Sequence, residues 1–204
     1  NSKLVSDLSY NKKNNSNYHF FTSLIGDLED SFYEMKIETV SDNNYLKKYQ
    51  IQSPLINNYS TLNSSLLYEI SDDDYNFSSS VNIINDLTKN NSDKYEYIIP
   101  NYQFNKETSL NNSIFDNLNF SSSGNFRKYN TNVDEADMVN DFVFSSVNQK
   151  QSSNLESEFK LLFRNVNTYG DLSNTYKENE DYKILGSTLL NLEYPLFKDR
   201  KNSK

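Results

Sequence analysis

The feature of this sequence that most constrains its fold is an alternation of apolar and polar residues with a period of two. Successive side chains of a β-strand point to opposite faces, whereas the apolar positions of an amphipathic helix recur every 3.6 residues. In the clearest run the apolar positions are Leu62, Leu66, Tyr68 and Ile70. After a polar turn at 71–74, the next apolar positions are Tyr75, Phe77, Val81 and Ile83. The two runs predict a hairpin with one apolar and one polar face.

Similar alternating segments recur along the whole chain. They lie at 4–10, 18–28, 33–39, 95–104, 114–120, 138–144, 158–166 and 182–196. Together with the hairpin they predict about ten strands, joined by turns and by longer polar connections. We therefore expect an all-β, antiparallel fold.

Composition separates this fold from the alternatives of disorder and nucleic-acid binding. A hydrophobic fraction of 35% and a formal charge of -8 would suit a disordered chain. An aromatic fraction of 14%, with only 4 glycines and 3 prolines, is untypical of one. The acidic charge, without a cluster of Lys and Arg, disfavours nucleic acid as a partner.

If this chain spans a membrane, it must do so with strands rather than helices. No stretch approaches the 18 or so consecutive apolar residues that a membrane-spanning helix needs. The chain begins with Asn1 rather than Met and opens with no cationic and apolar signal segment. We therefore expect residues 1–204 to be a partial outer-membrane β-barrel domain that is truncated at both ends.

Alternation by itself leaves a barrel wall and a soluble β-sandwich open. Three features favour the barrel: several runs reach about ten residues, the polar face is rich in Ser and Asn, and glycine and proline are scarce for the corners of a sandwich. Tyr182 and Tyr194 near the two ends of the last run are typical of interfacial aromatic girdles. The barrel predicts five lipid-facing candidates: Leu62, Leu66, Tyr68, Phe77 and Val81.

Short motifs resemble one known family. The segment 33–40 leads into Ser41-Asp42, two variable residues and Tyr45-Leu46, and a tyrosine-containing segment at 95–100 ends in Ile99-Pro100. Segments 163–168 and 194–196 look like later strands of the same domain. This pattern resembles the middle of the barrel domain of the lipopolysaccharide-assembly proteins LptD, the organic solvent tolerance family, although Ile99 replaces the family's Leu.

The resemblance implies a function that composition does not indicate. The full-length protein would be a transmembrane barrel of the Gram-negative outer membrane that delivers lipopolysaccharide to the outer leaflet. Its partners would be the plug lipoprotein LptE, outer-membrane lipid and a periplasmic bridge that docks on an N-terminal domain. In the family the substrate leaves through a seam between the first and last strands, which this chain would not contain.

Catalytic chemistry is not visible in the sequence, so we expect no enzyme, metal or cofactor. His19 is the only histidine and lacks partners at metal-ligand or catalytic spacing, which favours a structural role. Residues 72–74 are three aspartates without the central glycine of a calcium loop, which favours a solvated turn.

For the family-motif residues a structural role is also the favoured interpretation, with substrate contact as the alternative. Ser41 and Asp42 would hold a strand end by bonding the backbone two residues on, and Tyr45 with Leu46 would anchor the next segment at the membrane edge. Pro100 would mark a bulge, edge or strand end. Segments 121–134 and 167–181 are the candidate surface loops.

The competing function is a secreted β-sandwich module of the carbohydrate-binding or adhesin type. Such a module would use Asn- and Tyr-rich loops to hold its ligand. A complete fold with short boundaries would favour this alternative over transport.

Overall fold

The computed structural model describes residues 1–12, 16–110, 114–146, 149–150 and 155–194. Each of the ten predicted runs overlaps a strand, so the all-β, antiparallel prediction is confirmed. The strands are β1 Ser2–Asn11, β2 Asn17–Leu28, β3 Ser31–Val40, β4 Thr61–Ser71, β5 Tyr75–Asp86, β6 Tyr95–Ser109, β7 Asn117–Tyr129, β8 Val133–Ser145, β9 Gln149–Lys150, β10 Glu156–Asp171 and β11 Asp181–Glu193. The helices are α1, Tyr45–Tyr49, and a 3-10 turn, Ser92–Lys94.

The strands form one antiparallel sheet in the order of the sequence. Each long strand pairs with the next, from β1 to β8 and on through β10 to β11, and the short β9 pairs with β10. Among the described residues no ladder joins β1 to β11, so the sheet is open at both edges. No helix in the described part of the chain has the length and apolar character to cross a membrane.

The register gives the sheet one apolar and one polar face. Residues directly opposite each other on antiparallel strands share a face, and Leu66 is paired with Val81 as Ile70 is with Phe77. Following these pairs through every ladder assigns one parity of each strand to an apolar face. Its members include Leu4, Leu8, Phe20, Leu24, Met35, Ile37, Leu66, Tyr68, Phe77, Val81, Phe104, Phe120, Phe142, Phe163, Ile184, Leu190 and Leu192. The two-faced hairpin predicted from the sequence is confirmed.

The apolar face has no second layer in the described part of the chain. A globular domain normally packs two layers so that each buries the apolar side of the other. Here Leu8 is 68% exposed, Ile184 79% and Leu190 61%. The buried core is a single cluster of Phe21, Tyr45, Leu46, Ile56, Leu62 and Leu87. Most of the apolar surface therefore lies outside any core.

The connections divide the sheet into two ends. We call the end with connections 12–16, 41–60, 87–94, 130–132 and 172–180 the long-loop end, and the end with 29–30, 72–74, 110–116 and 146–155 the short-turn end. Both candidate surface loops of the sequence analysis are at the long-loop end, but their extents were wrong. Residues 121–129 belong to β7 and 167–171 to β10, so the connections there are only 130–132 and 172–180.

Strand boundaries differ from the sequence prediction where turns carry apolar residues. Ile114 and Phe115 precede β7, which begins at Asn117. Pro195 and Leu196 of the last run, and with them the end of the 194–196 motif, lie outside the described residues.

Candidate functional site on the polar face

The polar face of the sheet carries most of the charge in the strands. On the ten long strands the register gives it fifteen acidic and six basic side chains, against two of each on the apolar face. The acidic members are Asp7, Asp27, Glu34, Glu38, Glu69, Asp86, Glu96, Glu107, Glu135, Asp137, Asp141, Glu156, Glu158, Asp181 and Glu193. The basic ones are Lys3, Lys36, Arg127, Lys160, Arg164 and Lys183. The polar face is therefore strongly acidic.

Five of the six basic side chains are already in ion pairs. The pairs join Lys36 to Glu34, Arg127 to Glu96, Lys160 to Glu158, Arg164 to Asp141 and Lys183 to Asp181. Such half-exposed pairs each stabilise a fold by only about 0–1 kcal/mol. Their main effect here is to occupy the cations, so that the face presents hydrogen-bond acceptors rather than free positive charge.

The densest polar cluster lies on β6, β7 and β8 at the long-loop end. Glu135, only 6% exposed, accepts hydrogen bonds from the Tyr129 hydroxyl at 3.0 Å and the Ser173 hydroxyl at 2.5 Å. Arg127 donates to Glu96 at 2.7 Å, and its guanidinium lies 4.2 Å from the centre of the Tyr129 ring. A buried carboxylate requires such partners because its desolvation is otherwise costly.

Connection 172–180 folds back over this cluster. A Cβ at Gly170 would lie 2.7 Å from the Ser173 Cβ and 3.0 Å from the Tyr176 carbonyl oxygen, so a glycine lets the loop return this closely. Burial raises the pKa of the Tyr176 phenol, and the Asp137 and Glu135 carboxylates raise it further. Residues of the loop and of β6 to β8 line a cleft of about 470 Å³.

The middle of the polar face, on β4 to β7, is nearly uncharged. Thirteen positions there are amides or hydroxyls: Asn63, Ser65, Asn76, Ser78, Ser80, Asn82, Asn101, Gln103, Asn105, Asn119, Ser121, Ser123 and Asn125. Amide and hydroxyl side chains both donate and accept hydrogen bonds, as sugar hydroxyls do. We call this middle part of the polar face the uncharged lane. Its side chains are suited to bind polyhydroxylated molecules.

Connection 41–60 covers the polar face at β1 and β2. His19 is 4% exposed, lies 3.1 Å from the Asp7 carboxylate and 3.2 Å from the Tyr45 hydroxyl, and stacks on Phe21 at 4.8 Å. These contacts agree with the structural role that the sequence indicates for His19. The sequence does not reveal its partners, because Asp7 and Tyr45 lie on other elements.

The family-motif residues lie in the turn after β3, in α1 and at the bulge of β6. The Ser41 hydroxyl is buried without a hydrogen-bond partner in the protein, so the backbone bond expected for it is wrong. Asp42 accepts a hydrogen bond from the Asn44 backbone N–H at 2.8 Å, which is the bond expected for it. Pro100 lies where the register shifts in both the β5–β6 and β6–β7 ladders, as a bulge requires. Tyr45 and Leu46 are 4% and 0% exposed in the core cluster, so the predicted anchor at a membrane edge is wrong.

Four of the five lipid-facing candidates lie on the uncovered apolar face. Leu66 is 50% and Tyr68 40% exposed, and Phe77 and Val81 are half-buried among their neighbours. Leu62 is 1% exposed in the core cluster, and the prediction that it faces lipid is wrong. The alternating pattern predicts that Leu62 and Leu66 share a face. In the structure, connection 41–60 packs against Leu62 where β4 separates from β3.

Tyrosines on the apolar face concentrate at the two ends of the strands. Tyr10, Tyr18, Tyr95, Tyr97, Tyr169 and Tyr182 lie towards the long-loop end, and Tyr33, Tyr68 and Tyr75 towards the short-turn end. Tyr102 is the exception, in the middle of β6. Sequence reasoning identified this arrangement only in the last strand. The strand register would have been needed to recognise it elsewhere.

The part of the chain that the structure describes contains no cluster of three or more acidic or histidine side chains that could hold a metal ion. The aspartates at 72–74 lie in the β4–β5 turn, where Asp72 accepts a bond from the Asp73 backbone N–H. No protein-family model matches the sequence, and no curated protein matches it.

Proposed function

We propose that this sheet is part of the wall of a transmembrane outer-membrane β-barrel that delivers lipopolysaccharide to the outer leaflet. The observation that carries the proposal is the uncovered apolar face. An exposed apolar surface of this extent needs a partner, and lipid hydrocarbon would cover one face of a single sheet. The face is interrupted on β7, β8 and β10 by a row of polar side chains, Ser122, Asn140, Asn165 and Asn167, which satisfy one another by hydrogen bonds.

The distribution of charge supports lipid contact. The apolar face has four charged side chains, Lys106, Lys128, Asp134 and Asp171, and each lies within three residues of a strand end. Lys128 and Asp134 also pair with each other at 3.0 Å. A charge costs about 2–4 kcal/mol at the bilayer midplane and much less near the interfaces, so these positions are tolerable.

The length of the strands is also adequate. The ten long strands have 10 to 16 residues. A tilted strand needs about 9–11 residues to cross the hydrocarbon core. The tyrosines towards the two ends of the apolar face would then lie at the two membrane interfaces.

Within this proposal the polar face lines the interior of the barrel and does no chemistry. The sugar portion of the glycolipid would meet the uncharged lane, and the plug lipoprotein LptE would occupy the interior beside it. Substrate would arrive from a periplasmic bridge through a domain outside this chain. These partners, and the outer-membrane location, rest on the resemblance to the LptD family together with the two-faced sheet.

Photo-crosslinking at neighbouring positions tests the proposal. A photoreactive residue at Leu66 in the full-length protein in its native membrane should give lipid adducts, and one at Ser65 should not. The two positions are adjacent and differ in face, so each controls for the other. Adducts at neither position in a folded protein would overturn the barrel wall and favour the β-sandwich with a second protein layer over the apolar face.

A further inference from the structure

A row of polar side chains crosses the apolar face near the middle of β7, β8 and β10. We call Ser122, Asn140, Asn165 and Asn167 the polar row. The Ser122 hydroxyl donates to Asn140 Oδ1 at 2.7 Å, and Asn140 Nδ2 donates to Asn165 Oδ1 at 3.2 Å. Asn165 and Asn167 donate to each other at 3.1 and 2.7 Å. The Tyr102 hydroxyl lies 3.1 Å from the Ser122 hydroxyl and extends the row onto β6.

The composition of the apolar face changes at the polar row. On β7, β8 and β10 the side chains of this face on the short-turn side, as far as Phe159, are all Phe or Leu: Leu118, Phe120, Phe142, Phe144, Phe159, Leu161 and Phe163. On the long-loop side three of eight carry a charge, the eight being Gly124, Phe126, Lys128, Asp134, Ala136, Met138, Tyr169 and Asp171. The strongly apolar part of these strands therefore ends at the row.

The charged side chains beyond the row do not neutralise one another. Lys128 pairs with Asp134 at 3.0 Å, and Asp171 lies directly opposite Asp134 in the β8–β10 ladder. Two carboxylates thus share one lysine. Charges are costly near the bilayer midplane but tolerated near its interfaces, so this group suits the headgroup layer.

β10 and β11 are long enough to cross the hydrocarbon core without their long-loop parts. Asn165 lies opposite Ile184 in the β10–β11 ladder. From these two residues to the last pair at the short-turn end, the strands have ten residues each, 156–165 and 184–193. A tilted strand needs about 9–11 residues to cross the hydrocarbon, so the segments on the short-turn side of the row suffice.

β7 and β8 have shorter segments on the short-turn side, and an aromatic side chain extends their apolar surface. The segments 117–122 and 140–145 have six residues each. Phe115 precedes β7, and the centre of its ring lies 5.5 Å from that of Phe144 and 6.3 Å from that of Phe159. The apolar surface on this side of the row therefore continues beyond the strand ends.

We propose that the polar row marks the level at which β7, β8 and β10 leave the hydrocarbon, and that the apolar face on its long-loop side contacts phospholipid headgroups. The inference rests on the proposed barrel wall. The hydrogen bonds within the row use one of the two amide donors of Asn140 and one of Asn167. The second donor of each amide suits the ester and phosphate oxygens of a phospholipid, which accept hydrogen bonds.

Spin labels at equal distances from the row test this boundary. Leu161 and Tyr169 each lie four residues from Asn165 on the same face of β10. The full-length protein with Leu161→Cys or Tyr169→Cys is labelled and placed in vesicles of phosphatidylethanolamine and phosphatidylglycerol that contain a nickel-chelating lipid. Oxygen, which concentrates in hydrocarbon, should relax the label at 161, and nickel at the headgroups should relax the label at 169.

The two labels separate failure of the boundary from failure of the wall. Oxygen contact without nickel contact at both positions would mean that hydrocarbon extends past the row, which overturns the boundary and leaves the wall standing. A label at 169 shielded from both reagents would mean that protein covers this surface, which also overturns headgroup contact. A label at 161 without oxygen contact would overturn the proposed function itself.

Arginine at the same two positions provides a measurement that needs no label. Leu161→Arg, in the middle of 156–165, should lower the folding equilibrium constant in vesicles by at least about thirtyfold, and Tyr169→Arg by no more than about fivefold. Losses of thirtyfold or more at both positions would place both in hydrocarbon and overturn the boundary. Losses below fivefold at both would contradict the barrel wall.

Discussion

At the scale of single residues, the surroundings decide the role of a side chain more than its type does. Leu62 and Leu66 have the same chemistry and the same strand parity, yet one is 1% and the other 50% exposed. Gly170 and Gly186 lie on adjacent strands, yet only Gly170 has a loop folded against it. Both contrasts arise from connections that return to the sheet.

Replacing Leu62 by Ala should therefore lower the free energy of unfolding by about 2–5 kcal/mol, because it leaves a cavity in the core cluster. Leu66→Ala removes the same atoms from an exposed site and should cost much less. Chemical unfolding of both variants of the full-length protein in detergent measures the difference. Equal losses would contradict the burial of Leu62.

Gly170→Ala should displace connection 172–180 from the polar face, since the added methyl would overlap the Ser173 Cβ, at a cost of about 1–3 kcal/mol. Gly186→Ala is the matched control, because its Cβ would meet only the Phe163 ring at 4.0 Å. Limited proteolysis within 172–180 should become faster in the first variant alone. Unchanged cleavage in both would show that the loop does not depend on Gly170.

At the scale of elements, the β4–β5 hairpin contains the two-faced character of the whole sheet. Its turn at 72–74 is short, and its pairs run without interruption from Thr61 opposite Asp86 to Ser71 opposite Asn76. Leu66 and Val81 meet on one face, and Leu67 with Ser80 meets on the other. Substitutions at adjacent positions of β4 can therefore compare the apolar face with the polar face.

If the apolar face meets lipid as proposed, Leu66→Arg should destabilise the protein by about 2–4 kcal/mol near the bilayer midplane, because the charge would lack water and partners. Ser65→Arg should be much milder, since a wet polar face can hydrate the guanidinium. Folding titrations in phospholipid vesicles compare the two. A larger loss at Ser65 than at Leu66 would mean that the faces are assigned the wrong way round.

At the scale of the whole molecule, the sheet has unpaired strand edges and an uncovered apolar face. Its outer strands β1 and β11 each have one neighbour in the described structure, and its apolar face has no second layer. Unpaired strand edges and large apolar surfaces both promote association in water.

Residues 1–204 expressed alone should for this reason not form a stable monomer in water. Size-exclusion chromatography without detergent should show aggregates, or circular dichroism should show an unfolded chain. Detergent micelles should keep more of the strand signal. A soluble monomer that melts cooperatively would remove the barrel interpretation.

Calorimetry with calcium, zinc and ATP provides a separate check on the expected absence of a cofactor. No cluster of metal ligands is present in the described residues, so no specific heat should be observed. Stoichiometric calcium binding would give the aspartates at 72–74 a functional role.

The sequence by itself indicated that there are ten long strands and that the β4–β5 hairpin has two faces, and it limited Pro100 to a bulge, an edge or a strand end. These features are local: alternation with a period of two and the missing N–H of proline act through neighbouring residues. Only the tertiary structure decided that Tyr45, Leu46 and Leu62 are buried in one cluster, and that Glu135 accepts hydrogen bonds from Tyr129 and Ser173. Those outcomes depend on where two long connections fold back, which is set by contacts between residues far apart in the chain.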